Sequence, residues 1–305
     1  MNILFAVKTA LKVFVILFVG LSGARYLERK GLSRILEKKF AGILKRAGIP
    51  EALIMPFVTA FFAGFAGEAL VAISFEKGKI TEKEIIPAMM LIDFPIYTSF
   101  VPLLTGITVP LAGKVGLMYI GLQLVVSFIM SLTGAFIFWI KKGKTAKQQV
   151  FTVEKLKSKK ESIVKESLFI SLRITGIVFV ALVAISFLYK WGVINTITNL
   201  INHVKIPFFE PEMAPIAAAH AFHIAAAAAV AGKLVKEGLS PTTAVLGMMW
   251  GNLIGTPIRG ARLVIPRYSA MFGFRRGVKI WLINQGYRAF LVFLTIVAVS
   301  LIKGF

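Results

Sequence analysis

Apolar stretches of about twenty residues recur along this chain, and they restrict its fold more than any other feature. Each is long enough to cross a hydrocarbon core of about 30 Å as a helix, in which the backbone groups are hydrogen-bonded within the segment. The composition agrees, since 57% of the 305 residues are hydrophobic and the mean hydropathy is +0.80. We therefore predict an all-α, polytopic protein that spans the cell membrane several times.

The N-terminal apolar stretch, 3–23, contains Lys8 and Lys12 and is followed by a basic run, 25–46, in place of a small-residue cleavage site. We predict that it is a first membrane helix and not a signal peptide. The net charge of +22 comes mainly from loops beside apolar stretches, which is typical of cytoplasmic loops that contact anionic lipid headgroups. No basic surface with interleaved aromatic residues indicates a nucleic-acid partner. The chain has no cysteine, which excludes disulfides, Fe–S clusters and thiolate metal sites.

Several short segments recur in the same order, and most of the matches share a common shift of about 160 residues along the chain. The matches are KRAGIP with NHVKIP (45–50, 202–207), Pro56 with Pro215, KGKIT with KEGLS (77–81, 236–240) and MMLID with MMWGN (89–93, 248–252). We predict two related halves, 1–140 and 166–305, joined by the lysine-rich linker 141–165.

Each half has the same predicted order of a hydrophobic helix, an amphipathic segment, a small-residue helix, a Pro/Gly-broken apolar stretch and a final helix. The segments are 3–23, 32–49, 51–75, 84–112 and 115–140, and then 167–189, 191–206, 211–235, 241–272 and 278–302. If the broken stretches are re-entrant, each half crosses three times and the halves are inverted. The basic run and the linker then share the cytoplasmic side, with both termini outside. Two kinked full spans are the alternative.

The proposed interruptions contain Pro95 and Pro102 in the first half, and Gly255 and Pro257 in the second. Proline removes a backbone donor and disturbs helix geometry. Interrupted helices at corresponding positions of two inverted repeats are typical of secondary transporters, whose solutes bind near the bilayer midplane.

Three segments resemble a known group: GFAGEALVA at 64–72, EKGKITEKE at 76–84 and GNLIGTPIRGARLVIPRYSAMFG at 251–273. With the two repeats, they resemble the Gate-domain, or nucleoside-recognition, superfamily, which includes the cores of concentrative nucleoside and ferrous-iron transporters. The last segment is similar to stand-alone archaeal and bacterial members. The resemblance implies a transport-like fold and leaves the substrate open. The chain lacks the cysteines and GTPase domain of the iron transporters, is shorter than the nucleoside transporters, and has no clear counterpart of their nucleoside-binding motifs.

Two carboxylates lie within apolar stretches, where an ionisable group needs a partner or a cavity. Glu68 could bind a proton or cation, or form a structural ion pair with an arginine of the other half. Asp93 precedes the break at Pro95, and Asn252 occupies the matching place in the second half. Both could contact a solute, or both could cap the next helical segment.

His220 and His223 have the i, i+3 spacing that would place them on one helix face. With Glu68 or Asp93 they could bind a transition metal, or they could relay protons. Hydrogen bonding to backbone in a tight helix contact is the third interpretation. Arg259 and Arg262 follow a break and suit a carboxylate or phosphate, although orientation charge explains them as well.

We therefore predict a secondary transporter of a small solute, which is anionic, nucleoside-like or a cation. The alternative is a non-transporting scaffold or lipid-interacting membrane protein. No phosphate-binding loop, HExxH or GxSxG motif indicates an enzyme, and we predict no cofactor. The predicted partners are the lipid bilayer and the solute, with a homo-oligomer left open.

Overall fold

The computed structural model describes residues 32–140 and 206–303 without a gap, and isolated positions within 7–19 and 165–191. Every regular element in this part of the chain is helical, which confirms the predicted all-α class. The predicted helices 3–23 and 167–189 are described only at isolated positions. The linker 141–165 and the segment 191–206 lie outside the described residues except at their ends.

The first described stretch begins with the predicted amphipathic segment as helix α1, followed by five further helices. They are α1 Leu32–Arg46, α2 Ile54–Ala60 after a 3-10 turn Glu51–Leu53, α3 Gly64–Glu76, α4 Glu82–Leu91, α5 Asp93–Ala112 and α6 Lys114–Ile140. α4 begins with a capping box in which the Glu84 carboxylate accepts hydrogen bonds from the backbone N–H and hydroxyl of Thr81.

The second stretch repeats this order. Its elements are α7 Ala214–Phe222 after a 3-10 turn Pro211–Met213, α8 Ile224–Lys236, α9 Pro241–Arg259, a π-helical turn Gly260–Val264, α10 Ile265–Phe272 and α11 Phe274–Lys303. Ser240 caps α9, since its hydroxyl accepts a hydrogen bond from the Thr243 N–H.

Three of the described segments are long and apolar enough to cross a membrane: Glu82–Ala112, Lys114–Ile140 and Phe274–Lys303. The distribution of polar and apolar side chains on these helices is opposite to that on helices of soluble proteins. α6 buries Gln123, Ser127 and Ser131 and exposes large apolar side chains such as Leu117 and Leu132. Such an apolar exterior around a polar interior suits a lipid environment.

The predicted small-residue helices 51–75 and 211–235 are not single helices, because each folds back on itself as a helical hairpin. In the first hairpin, the Ser74 hydroxyl donates to the Ala52 carbonyl at 3.3 Å, and Gly67 lies against the backbone of Pro56 and Ala60. In the second, α7 and α8 pack against each other across the extended residue His223. Small side chains permit this close approach of two helices, and the sequence analysis missed the reversal of direction.

The stretches predicted as re-entrant are instead nearly continuous. Pro95 follows an interruption at Ile92, as predicted, whereas Pro102 lies inside α5 and does not break it. Ser131 of α6 compensates for the interruption: its hydroxyl accepts from the Phe94 N–H at 2.9 Å and donates to the Leu91 carbonyl at 2.7 Å. These two hydrogen bonds satisfy backbone groups that have no helical partner at the interruption.

In the second half, Gly255 and Pro257 also lie inside a helix, α9, so neither interrupts it. The irregularity begins after Arg259, as the π turn. Proline disturbs a helix because it lacks the backbone N–H that would donate to the preceding turn. Adjacent packed helices and a wider turn can compensate for the missing hydrogen bond.

The two hairpins open at opposite ends of the bundle. α3 ends beside the start of α4, where Glu82 pairs with Arg276 at the start of α11, 3.4 Å away. At the other end, Gly232 of α8 lies against the Leu111 carbonyl near the end of α5. Lys303, at the end of α11, pairs there with Glu210, which precedes α7. Because α4 and α5 run from one end to the other, the first hairpin enters from one end and the second from the opposite one.

The residues with positive φ recur at a common interval along the chain. Within the described stretches they form three pairs at the same interval of about 160 residues: Gly48 with Phe208, Gly78 with Gly238, and Gly113 with Gly273. The helix caps Thr81 and Ser240 are one position closer together, and the π turn in the second half supplies the additional residue. The spacing agrees with the predicted shift.

Candidate functional site

Asp93 begins α5 at the interruption and forms an ion pair with Arg288 of α11. Arg288 Nη1 donates to Asp93 Oδ2 at 2.6 Å and to the Ser127 hydroxyl at 3.2 Å, and Nη2 donates to Gln123 Oε1 at 3.0 Å. Both charged side chains are less than one fifth exposed. A guanidinium at this depth is tolerated because a carboxylate and two neutral acceptors share its donors.

Glu68 of α3 forms the second ion pair, with Arg267 of α10. Arg267 Nε lies 2.9 Å from Glu68 Oε2, and its Nη2 donates to Oε1 at 3.2 Å. The Tyr268 hydroxyl donates to the same Oε1 at 3.1 Å, and the guanidinium lies over the Phe65 ring at 4.2 Å. Of the interpretations of Glu68, the structure therefore contains the ion pair with an arginine of the other half.

The third cluster surrounds Arg259, at the end of α9. Its Nη2 donates to the Asn252 side-chain oxygen at 2.6 Å and to the Asn252 carbonyl at 2.9 Å. Nη1 lies 3.3 Å from His220 Nδ1, and His220 Nε2 lies 3.3 Å from the Tyr119 hydroxyl. Because a guanidinium can only donate, we assign Nδ1 as the acceptor, so Nε2 bears the proton and donates to Tyr119.

His220 and His223 do not share one helix face, in contrast to the prediction. His220 is in the last turn of α7, whereas His223 is extended, with φ −166° and ψ 144°, and caps α8. Its Nδ1 accepts a hydrogen bond from the Ala225 N–H at 3.1 Å. The i, i+3 relationship fails because the helix ends between the two residues.

A small cavity lies beside the carboxylates of the two ion pairs. Its volume is about 140 Å³, enough for a few water molecules. It is lined by both carboxylates and by residues of α3 to α6, α10 and α11: Phe65, Glu68, Met89, Asp93, Ile96, Phe100, Met130, Arg267, Tyr268, Asn284 and Gln285. Asn284 is 3% exposed, and its Oδ1 has no hydrogen-bond partner in the described part of the chain. The cavity thus offers a free acceptor beside two carboxylates.

The described residues contain no group of three or more His, Asp or Glu side chains that could hold a metal ion. Glu68 and Asp93 bind arginines, and His220 lies between Arg259 and Tyr119. The side chain of Arg262 lies outside the described residues, although its backbone forms part of the π turn.

The structure brings Asn252, Arg259 and His220 into contact and places Glu68 and Asp93 on one cavity. The sequence analysis missed Arg267 and Arg288 as partners of the two carboxylates, Tyr268 as a donor to Glu68, and Tyr119 as the partner of His220. Arg288 had a usable signal, since it is a cation within an apolar stretch. The tyrosines had none.

The comparisons with known proteins give relatives without an assigned activity. The chain is 23% identical to the uncharacterized protein MJ0871 of Methanocaldococcus jannaschii, over 90% of this chain and 88% of that protein. It is also 23% identical to MJ0880 of the same organism, over 90% of this chain and 91% of the relative, and 22% identical to MJ1556, over 82% of each. No family model matches the chain, and no solved structure matches it.

Proposed function

We propose that this protein is a secondary transporter of a small solute that works by movement between two inverted repeats. The observation that carries the proposal is a pair of helical hairpins whose tips lie beside buried charges. Non-helical backbone is stable at membrane depth only where protein or a water-filled cavity covers it. Transporters place their solute sites at such interruptions, between the repeats.

The opposite entry of the two hairpins supports an inverted repeat, as do the three positive-φ pairs that share one interval along the chain. A re-entrant hairpin adds no net crossing. Each half then crosses three times, through its N-terminal helix, its kinked helix and its final helix. The basic run 25–46 and the linker 141–165 remain on one side, as the positive-inside rule requires. In this arrangement the re-entrant element is the hairpin, and position 79 lies on the cytoplasmic side.

The two ion pairs connect the halves, since Glu68 and Asp93 belong to the first and Arg267 and Arg288 to the second. Movement of one half against the other must therefore break or exchange these contacts. A proton or solute that competes for either carboxylate would favour that movement, because a ligand shifts an equilibrium by its differential affinity for the two states. The likeness of 64–72 and 251–273 to the Gate-domain superfamily favours the same conclusion.

Alternating access can be tested by cysteine labelling, because the chain has no native cysteine. Asn284→Cys places a thiol in the cavity beside the carboxylates of the two ion pairs. In reconstituted vesicles, a small membrane-impermeant thiol reagent should label this variant when it is added from either side. Val126→Cys, buried in α6 away from the cavity lining, should be protected from both sides, and Lys79→Cys should be labelled from one side.

Labelling of Asn284→Cys from a single side, or from neither, would contradict transport and favour the non-transporting scaffold. Flux in vesicles provides the second measurement. Transport of any solute found by screening should be lost in Glu68→Gln and retained in Arg276→Gln, which removes a charge from the exposed end of α11.

A further inference from the structure

The buried network contains three arginines and only two carboxylates. Arg267 is paired with Glu68 and Arg288 with Asp93, whereas the described partners of Arg259 are an amide oxygen, a carbonyl and an imidazole nitrogen. None of these partners has a negative charge. The network therefore has one positive charge in excess, at Arg259, which is partly buried between α7 and α9.

No further carboxylate pairs with this arginine in the described part of the chain. No Asp or Glu occurs after position 240, and none occurs in the apolar stretches 3–23, 115–140 or 167–189. The other acidic residues that the structure describes lie in α1, in turns or at the ends of helices. An uncompensated cation at membrane depth is costly, and an external anion would remove that cost.

One hydroxyl beside this cluster can also donate a hydrogen bond. The Tyr119 hydroxyl accepts from His220, so its own proton is free to donate. A guanidinium and a hydroxyl together form an environment suited to an anionic group.

We propose that Arg259 binds the anionic group of the solute, and that the solute is a small soluble monoanion, either a carboxylate or a singly charged phosphate. This assignment rests on the proposed transport function for its physiological meaning, and binding can be measured without it. One negative charge balances the network, whereas a neutral solute leaves the excess at Arg259 and a cation increases it.

Thermal unfolding of the full chain in a neutral detergent provides the test. The probes are acetate, lactate and dihydrogen phosphate, with acetamide and lactamide as neutral isosteres. At least one anion should raise the unfolding temperature of the wild type in a saturable manner, and its isostere should not. Arg259→Gln should weaken the apparent affinity by about tenfold or more, the loss of a charge-assisted contact. Arg276→Gln, the matched removal of an exposed arginine, should bind as the wild type does.

A second measurement needs no ligand. In buffer that lacks small anions, Arg259→Gln should unfold at or above the wild-type temperature, because it removes a partly buried charge that has only neutral partners among the described residues. Arg288→Gln should unfold well below it. A fall in Arg259→Gln equal to that in Arg288→Gln would show that Arg259 is a structural cation and would overturn the proposal.

The proposal is also overturned if neutral isosteres bind as well as the anions, if Arg259→Gln responds as the wild type does, or if no anion binds. Stabilisation by phosphatidylglycerol but not by soluble anions would assign the same chemistry to a lipid headgroup, against a soluble solute. Anion binding through Arg259, combined with one-sided labelling of Asn284→Cys, would refute transport and leave the anion site established.

Discussion

The two helical hairpins have the same architecture and differ in the contacts that they make with the rest of the protein. The first, α2–α3, presents Glu68, which is bound by Arg267 and Tyr268. The corresponding position in the second hairpin, α7–α8, is Ala228, inside a run of buried alanines. In the second hairpin, the neutral imidazole of His220 accepts a hydrogen bond from Arg259. Both hairpins are closely packed, but in the described part of the chain only the first is also fixed by an ion pair. Beside the second, Arg259 has only neutral partners among the described residues.

The largest effect is expected at the Asp93–Arg288 ion pair, which connects the two predicted halves. Arg288→Gln leaves Asp93 buried without its partner and should lower the stability by about 3–5 kcal/mol. Thermal or denaturant unfolding in detergent measures the loss. The double variant Asp93→Asn/Arg288→Gln should recover most of it, because the stranded charge is removed. Equal loss in the single and double variants would contradict charge pairing.

The second prediction concerns the carboxylate of the first hairpin. Glu68→Gln keeps the size of the side chain but weakens its hydrogen bonds with Arg267 and Tyr268, so the stability should fall by about 2–3 kcal/mol. The fall should be smaller than in Arg288→Gln, because Arg267 is 26% exposed and retains its contact with Phe65. The same unfolding assay decides the order, and a larger loss in Glu68→Gln would reverse it.

The third prediction concerns the close approach inside the first hairpin. A methyl group at Gly67 would overlap Ala60 and the Pro56 carbonyl, so Gly67→Ala should cost about 1–2 kcal/mol through overpacking. Gly121→Ala is the matched control, since it adds the same methyl group to a position with no neighbour within 4 Å. Equal stabilities of the two variants would show that the hairpin is not tightly packed at Gly67.

The smallest effect is expected at His223, and it tests whether this residue only caps α8 or also binds a ligand. His223→Ala removes the acceptor of the Ala225 N–H and should cost about 1 kcal/mol. His223→Ser restores a capping oxygen and should restore the stability. If His223→Ser stays as unstable as His223→Ala, the imidazole has a role beyond the cap.

The polar residues of the site were predicted better than their partners. Glu68 and Asp93 were identified because a charged group inside an apolar stretch is costly without a partner. Asn252 was identified from its matching place in the second half, and Arg259 from its position after a proline break. Their contacts could not be predicted, since Glu68 and Arg267 are far apart in the sequence and no local pattern couples them. The hairpins were missed for a related reason, because alanine and glycine permit both a straight helix and a tight reversal.

By itself, the sequence determined that the chain is helical, that apolar stretches long enough to cross a membrane occur along it, that short segments recur in the same order at a common shift, and that few charges lie within the apolar stretches. These properties depend on composition and local order along the chain. Only the tertiary structure decided where each helix reverses, and which arginine neutralises which carboxylate. Both depend on helices that are distant in sequence and adjacent in space, and they leave Arg259 with neutral partners among the described residues.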